Sequence, residues 1–412
     1  MEKKTSIVNQ LPVKTWNRLN VNDSVLEQYE AEAPCPVQIE TENGTAQITD
    51  VAEWEDNGTI ATGVGSAIDH LFPWAVTVTA WNECVDTVRM EIGSTAGKNC
   101  TLLVNGQAEK NSNLTIVQIW KADAPRAALR TMLHAEKGAT IRLIQILTDQ
   151  SEEIINDVGG VAEEGATIEL VRLYTAKGSI FSGVRVDMIG DNSSFSNKCG
   201  YLVHDGKKLD MNVIANHIGK NTMCDIQANG TLENHAEKVF RGTIDLRCGC
   251  SGSEGKEEEN VLLLGDDVIN KTIPLILCSE EDVKGSHGAT IGELEQGMLF
   301  YFESRGISKS EAEKIVAKAR LEKLCQDVAD EKNRSIYASD DRGGALNGRM
   351  ECPVCAKGFR PAGKYRPCLF RQCSYLSETA GGAGCHQRIL REVQRQRSAW
   401  AVSAECGGNR AL

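Results

Sequence analysis

Large aromatic side chains are scarce in this 412-residue chain, and long apolar runs are missing. Aromatic residues make up 5% of the sequence, so Ile, Val, Leu and Ala must fill most of any core. The longest nearly apolar run, Leu71 to Trp81, is too short and too rich in threonine to span a bilayer. The first residues carry charge but no apolar segment typical of a secretory signal. These absences predict a cytoplasmic protein with no membrane partner.

Positive charge is also in short supply, and the sequence contains no phosphate-binding loop. The formal net charge of -12 argues against a nucleic-acid partner held by phosphate neutralisation. No segment fits G-x4-GK[ST], so we expect no bound nucleotide. The 15 cysteines of a long chain without a signal segment are expected to be reduced thiols. The composition therefore favours proteins or small ions as partners.

The composition changes abruptly near Arg342. Residues 342–412 hold 12 of the 45 basic and 4 of the 57 acidic residues, whereas residues 1–341 carry a net charge of -20. This region contains the pattern C-x2-C-x12-C-x4-C, which can bind zinc through Cys352, Cys355, Cys368 and Cys373. The second gap is loose, and no strand pattern surrounds it. We interpret residues 342–412 as an atypical extension, disordered or aberrant, in preference to a zinc ribbon.

Four segments between residues 95 and 290 resemble one another: "KGATIRLIQI", "EGATIELVRL", "GDNSSFSNKCGYLV" and "GKNTMCDIQANGTL". Their first glycines lie 27, 25 and 29 residues apart, a spacing typical of a solenoid. The first two segments alternate apolar and polar residues and then change phase together at Ile144 and Val171, which predicts a shared bend or bulge. We predict a mainly β fold with a stacked parallel β-helix; a β-sandwich is the alternative.

The regions on either side of the repeats have a different sequence pattern. Residues 1–94 are of mixed character, with a short helix predicted from Ser24 to Ala33. Residues 291–341 are predicted to be helical, since one helix would end at Gly306 and the next begins with a capping box, Ser308 and Glu311.

Several side chains are candidates for metal chemistry. His287 lies among glycines that would let a ligand approach, and imidazole binds iron and zinc; the alternative is a hydrogen-bonded structural histidine. Cys278 ends an apolar run, and Cys248 and Cys250 form a C-x-C that would chelate a metal ion if it lay in a strand. Inert thiols are the alternative for all three cysteines.

The repeat region also contains three histidines that would either line one side of a solenoid or be ordinary polar surface residues: His204, His217 and His235. The run Glu257 to Glu259 is interpreted as a solvated loop.

The block from Asn260 to Ala312 resembles the C-terminal signature of the SufB/SufD family of iron–sulfur cluster assembly proteins. It contains, in order, an apolar strand, "HGAT-x-G", "LFY", "SRG" and a following "EA". The resemblance implies a right-handed parallel β-helix between helical terminal regions. It also implies a SufC-like ABC ATPase partner docked on the C-terminal helical region, where we name as contact candidates Leu299, Tyr301, Arg305, Ile315 and Ala319.

In this family the histidine of "HGAT" lies near the interface of two paired β-helix subunits. His287 matches it, which implies that His287 is a ligand for iron or a transient cluster at that interface. SufB-like members carry a cysteine where this chain has the segment 258–260, and a glutamate where it has Gly288. These departures favour a SufD-like scaffold subunit that pairs with a SufB-like subunit and is not itself an enzyme.

Three other functions compete with that interpretation. The chain would be a self-sufficient homodimeric scaffold if it holds a cluster without a SufB-like partner. A β-helix enzyme acting on polysaccharides would need a groove of carboxylates and stacking aromatics, and aromatics are few here. A zinc-binding protein would depend on residues 342–412.

Overall fold

A computed structural model describes residues 4–15, 17–53, 60–148, 150–265 and 267–325, all of which belong to one compact unit. The cysteines predicted to bind zinc and the rest of the tail from residue 342 lie outside these residues. In the N-terminal part the strands are β1 (Thr5–Val8), β2 (Ser24–Glu27), β3 (Ala33–Pro34), β4 (Val37–Thr41), β5 (Gln47–Ile48) and β6 (Ala52–Glu53). Two short 3-10 helices span Asn17–Leu19 and Ser66–Leu71.

Sixteen longer strands follow. They are β7 (Trp74–Ala80), β8 (Val85–Ile92), β9 (Cys100–Ala108), β10 (Asn113–Trp120), β11 (Arg126–Ala135), β12 (Thr140–Leu147), β13 (Glu153–Ala162), β14 (Thr167–Tyr174), β15 (Ser179–Met188), β16 (Ser194–Val203), β17 (Lys208–His217), β18 (Met223–Leu232), β19 (Glu237–Leu246), β20 (Glu254–Leu263), β21 (Ile269–Cys278) and β22 (Lys284–Gly292). Two helices end the described part, α1 (Gln296–Glu303) and α2 (Lys309–Cys325).

The strands from β7 onward build a parallel β-helix, as the repeats predicted. Even-numbered strands stack in the order β22 to β8 and then β4, which we call the even sheet, and odd-numbered strands stack from β21 to β7 and then β5, the odd sheet. Each turn contributes one strand to each sheet, so eight turns run from β7–β8 to β21–β22. The stack therefore begins at Trp74, earlier in the chain than the predicted boundary at residue 95.

The repeat period arises from one left-handed backbone position, two residues before each even strand from β8 to β20. Gly138 and Gly165 have φ of 70° and 65° there, and Asn192 and Asn221 occupy the equivalent places with φ of 61° and 53°. Glycine and asparagine tolerate this left-handed conformation better than other residues. Aligned on this position, the first three units repeat every 27 residues, because Asn192 is the structural equivalent of the glycines.

Of the predicted bend or bulge, the bulge is absent between β12 and β14. These strands pair residue for residue along their whole length, with Ile141 opposite Ile168 and Ile144 opposite Val171. The phase change instead marks an apolar outer face, since Ile144 packs in a cluster with Leu321 of α2 that is separate from the interior core. The interior positions at the same level are polar, namely Gln118, Gln145 and Arg172.

The predicted helix from Ser24 to Ala33 is also wrong, because Ser24 begins strand β2. β2 pairs antiparallel with β1, and the pair is fixed to the odd sheet through buried Asp210. The Ser24 hydroxyl and the Asn9 amide both donate to the Asp210 carboxylate, and the Arg241 guanidinium lies 2.7 Å from it. Ser24 is thus a tertiary contact and not a helix cap.

Both C-terminal helices lie where they were predicted. Gly306, with φ of 78°, ends the turn after α1, and the Ser308 and Glu311 side chains form the expected capping box. α2 packs against β16 and β18, and the buried residues between positions 309 and 322 are Ala312, Ala317 and Leu321. No helix in the described ranges is long and apolar enough to cross a membrane.

Candidate functional site

The final turn of the stack leaves two strand edges open. β22 pairs only with β20 and β21 only with β19, so the outer edge of each strand has no partner within the described part of the chain. Eight of the nine residues of β22 are exposed. An exposed edge strand is a template for pairing with another chain, and natural proteins usually protect such edges. This open end, β21 with β22, is the candidate site.

His287 lies in the middle of β22 and is exposed. Its Cα pairs in register with that of Glu257 on β20, so both side chains leave the even sheet on its interior face. Gly285, two residues earlier, also faces inward, since a Cβ there would contact Ile276 of β21 and Leu246 of β19. His287 is therefore positioned over the open end of the β-helix interior.

The predicted solvated loop at residues 257–259 is wrong, because these residues form the centre of β20. Glu257 and Glu259 are 2% and 1% exposed, with side chains in the interior one turn below His287. Glu259 forms an ion pair with Lys238, and the Thr272 and Tyr201 hydroxyls donate to it at 2.6 and 3.4 Å. A charge placed at this depth needs such partners.

Glu257 has no comparable set of partners. One of its carboxyl oxygens is buried without a hydrogen bond, and the side chain lies over Gly242, where a Cβ would collide with it. Burial, together with the Glu259 carboxylate and against the opposing effect of Lys238, raises the pKa of Glu257 to about 8. The open end of the solenoid thus covers a carboxyl group that carries its proton at neutral pH.

The three candidate cysteines do not form one cluster. Cys278 ends β21, is exposed and donates from Sγ to the Glu280 carbonyl at 3.1 Å. Cys248 and Cys250 lie in the turn between β19 and β20, one exposed and one buried, so the expected same-facing pair in a strand is wrong. Among the described residues, no three His, Cys, Asp or Glu side chains are placed to hold a metal ion.

The three histidines of the repeats have separate environments. His204 contacts Glu233 at 3.1 Å, and this hydrogen bond raises the pKa of His204. His235 occupies a left-handed turn position with φ of 59°. His217 is buried, 3.2 Å from the Cys224 sulfur, and burial lowers the pKa of His217 to about 4. His204 and His235 do share one side, since they lie in successive turns of the stack and His235 contacts Asp205 at 3.0 Å. His217 lies inside the stack, so the three histidines do not form one row.

The candidate partner surface on the helices is largely exposed. Tyr301 is 50% exposed, and the Arg305 guanidinium stacks on its ring at 3.5 Å from the centroid. Ile315 and Ala319 lie on the exposed side of α2, whereas Leu299 is half-buried. α1 has no buried residue, and two further large apolar side chains project from it, Met298 and Phe300. Such an apolar surface is typical of a protein interaction site.

Sequence reasoning missed the buried acids. Glu257 and Glu259 alternate with outward residues immediately before the apolar run "NVLLL", which is a strand signal. Their charge obscured it, because a charge run is usually solvated. The ion pair between Glu259 and Lys238 joins residues 21 positions apart, so no local sequence pattern predicts it.

Comparisons with known proteins agree with the fold. Residues 95–320 match the family model described as SUF system FeS cluster assembly, SufBD core domain. Over 100 residues the chain is 33% identical to the iron–sulfur cluster assembly protein SufD of Bacillus subtilis. The aligned region is 24% of this chain and 23% of that protein. It is equally identical over 100 residues to SufD of Escherichia coli, covering 24% of each.

A SufBD family protein of Synechocystis is 26% identical over 155 residues, which cover 38% of this chain and 32% of that protein. The chain thus matches between about a quarter and a third of the length of these curated relatives.

Proposed function

The chain belongs to the SufBD family of SUF-system iron–sulfur cluster assembly proteins, and we propose that it acts as a SufD-like scaffold subunit. In this proposal its open end, β21 with β22, pairs with a SufB-like subunit. A SufC-like ABC ATPase docks on α1 and the exposed side of α2. The chain has no catalytic turnover of its own and works in the cytoplasm. Iron and the nascent cluster are cargo.

The exposure of His287 on an unpaired edge strand is the observation that carries this proposal. An exposed imidazole with no hydrogen-bond partner among the residues that the structure describes is free to bind a metal ion. A second β-helix that pairs with the outer edge of β22 would bring its own ligands to the same place by β-strand addition. Gly288, adjacent to His287, has open space around its Cα, so two backbones can approach closely there.

The ligand chemistry at the open end suits iron and sulfide cargo. The exposed imidazole of His287 and the exposed thiol of Cys278 are of the types that bind iron and its clusters. Both face the interior side of the terminal turn, since Cys278 pairs in register with the core residue Leu246. Because this chain offers few ligands, completion of a cluster depends on the partner subunit.

Anaerobic co-purification of the full chain with a SufC-like ATPase and a SufB-like partner tests the proposal. We expect a stable complex containing iron and acid-labile sulfide, and His287→Ala is expected to lose most of both while keeping the subunit ratio. His70→Ala is the matched control, because His70 is also exposed but lies in the 3-10 helix Ser66–Leu71, before the first strand of the stack.

Two results would contradict the proposal. If no ATPase and no SufB-like subunit co-purify with the chain, the scaffold role is wrong. If the chain alone retains a cluster that survives without a SufB-like subunit, the homodimeric scaffold replaces the SufD-like one.

A further inference from the structure

A column of polar side chains runs through the interior of the even sheet. Gln118, Gln145 and Arg172 occupy registered positions on β10, β12 and β14. The two glutamines are hydrogen-bonded, since the Gln145 amide nitrogen donates to the Gln118 side-chain oxygen at 2.8 Å. Gln145 also exchanges hydrogen bonds with Asn156 across the interior. Arg172 continues the column but brings a positive charge into it.

Arg172 is fully buried, and each partner that it contacts is neutral. Its Nε donates to the Asn197 side-chain oxygen at 3.0 Å, and its Nη1 donates to the Tyr174 and Ser182 hydroxyls at 2.8 and 2.9 Å. Its Nη2 is buried without a partner, and so is the Nδ2 of Asn197. Two groups of N–H donors therefore remain unsatisfied in the same neighbourhood.

No carboxylate in the described part of the chain compensates this charge. The buried acids there are Asp86, Asp157, Asp210, Glu257 and Glu259. Asp157 and Asp210 belong to the odd sheet and pair with other arginines, Arg130 and Arg241. The remaining three lie on β8 or β20, each three strands from β14, which is about 14 Å at ordinary strand spacing.

We propose that Arg172 Nη2 and Asn197 Nδ2 bind a small monovalent anion of the chloride class inside the β-helix. An isolated buried guanidinium is costly unless an opposite charge accompanies it. A water molecule would accept from both donors, but it would leave the charge in place and need acceptors for its own two hydrogens. A monovalent anion accepts hydrogen bonds from both groups and compensates the positive charge of Arg172. This site is independent of the iron–sulfur role.

Bromide is the probe, because it replaces chloride and scatters anomalously. The full chain is unfolded, refolded and crystallised in sodium bromide, so that the buried site fills during folding. We expect an anomalous peak within hydrogen-bond distance of Arg172 Nη2 and Asn197 Nδ2. In solution, the melting temperature should rise and then saturate with bromide at constant ionic strength set by gluconate, as for a ligand that binds only the folded state.

Arg172→Met removes the charge at similar side-chain length and is expected to abolish the bromide-dependent rise. Arg142→Met is the control, since Arg142 is part of an outward-facing ion pair with Glu169 on the same sheet. That variant should retain the rise in full. A map that resolves the Arg172 side chain with no anomalous peak beside it overturns the proposal, and this result does not depend on the folding of any variant. An unchanged bromide response in Arg172→Met overturns it as well.

Discussion

His287 and Glu257 stand opposite each other in the register of β22 and β20, and their side chains leave the sheet on the same face. His287 is exposed, whereas Glu257 is 2% exposed. The difference arises because β22 is the last strand of the stack and covers β20. One strand spacing therefore separates a solvent-accessible imidazole from a buried, protonated carboxyl group.

Glu257 is expected to make the protein less stable as the pH rises. Its pKa is about 8 in the folded chain and near 4.5 when unfolded, so the folded state binds the extra proton between these values. The free energy of unfolding should then fall from about pH 4.5 to about pH 8, by on the order of a few kcal/mol. Glu257→Gln mimics the neutral acid and should flatten this part of the profile, as measured by urea unfolding at a series of pH values.

Glu254→Gln is the matched control for that experiment. Glu254 lies on the same strand, but it is exposed and pairs only with Lys284 at 3.6 Å. Its replacement should leave the pH profile unchanged. Parallel profiles for wild type and Glu257→Gln would show that Glu257 ionises normally in the folded protein.

Loss of the Asp210–Arg241 pair should release the N-terminal strands. Both side chains are fully buried, and Arg241 also donates to the Val21 carbonyl at 2.6 Å. Arg241→Met leaves the buried Asp210 carboxylate with Lys208, 3.6 Å away, as its remaining cationic partner. The loss of the buried Arg241 is expected to cost up to about 3–5 kcal/mol in the free energy of unfolding.

The comparison for Arg241→Met is Arg247→Met, whose exposed pair with Asp245 spans 3.0 Å. Exposed pairs contribute about 0–1 kcal/mol, so this variant should unfold almost like the wild type. Urea titrations followed by circular dichroism measure both. Equal losses in the two variants would mean that the buried pair does not fasten the N-terminal segment.

The sequence predicted the parts of the fold that depend on neighbouring residues. Gly138 and Gly165 mark turns because the left-handed conformation selects glycine locally. The capping box of Ser308 and Glu311 is likewise complete within four residues. Ser24 was misassigned for the opposite reason, since its partner Asp210 lies 186 positions away.

The candidate site divides in the same way. His287 was identified from its glycine-rich setting, and its exposure on an edge strand agrees with the expected access to a ligand. Glu257 and Glu259 were assigned to solvent because only the stacking of β19 on β21 brings Lys238 and Thr272 to Glu259. Burial of a charged residue is a property of the assembled stack and has no signature in the local sequence.

Thiol reactivity should follow exposure more than pKa. Among the cysteines of the described ranges, Cys248 and Cys278 are the exposed ones, so iodoacetamide at pH 7.5 is expected to label these two before the others. Cys224 is buried, and burial raises its pKa to about 12, so it should react only after unfolding. A hydrogen bond with Cys35 lowers the pKa of Cys100 to about 6, but this thiolate is fully buried.

Mass spectrometry of peptides sampled over time gives the order of labelling, and urea-unfolded protein provides the reference in which all sites react. Rapid labelling of Cys100 in the folded chain would show that the first turns of the stack open readily. Protection of Cys278 that appears only with a SufB-like subunit present would instead locate the partner at the open end.

The exposed apolar face of α1 should bind the ATPase without supporting the fold. Phe300 and Tyr301 are 72% and 50% exposed, so replacing both with serine is expected to change the free energy of unfolding by less than about 0.5 kcal/mol each. Aromatic side chains often dominate interface energetics, so the affinity for a SufC-like ATPase should fall at least about tenfold in isothermal titration calorimetry.

Val85→Ser is the control, because Val85 is 58% exposed on β8, at the other end of the stack. If Val85→Ser weakens binding as much as the double variant does, the ATPase does not recognise α1 specifically.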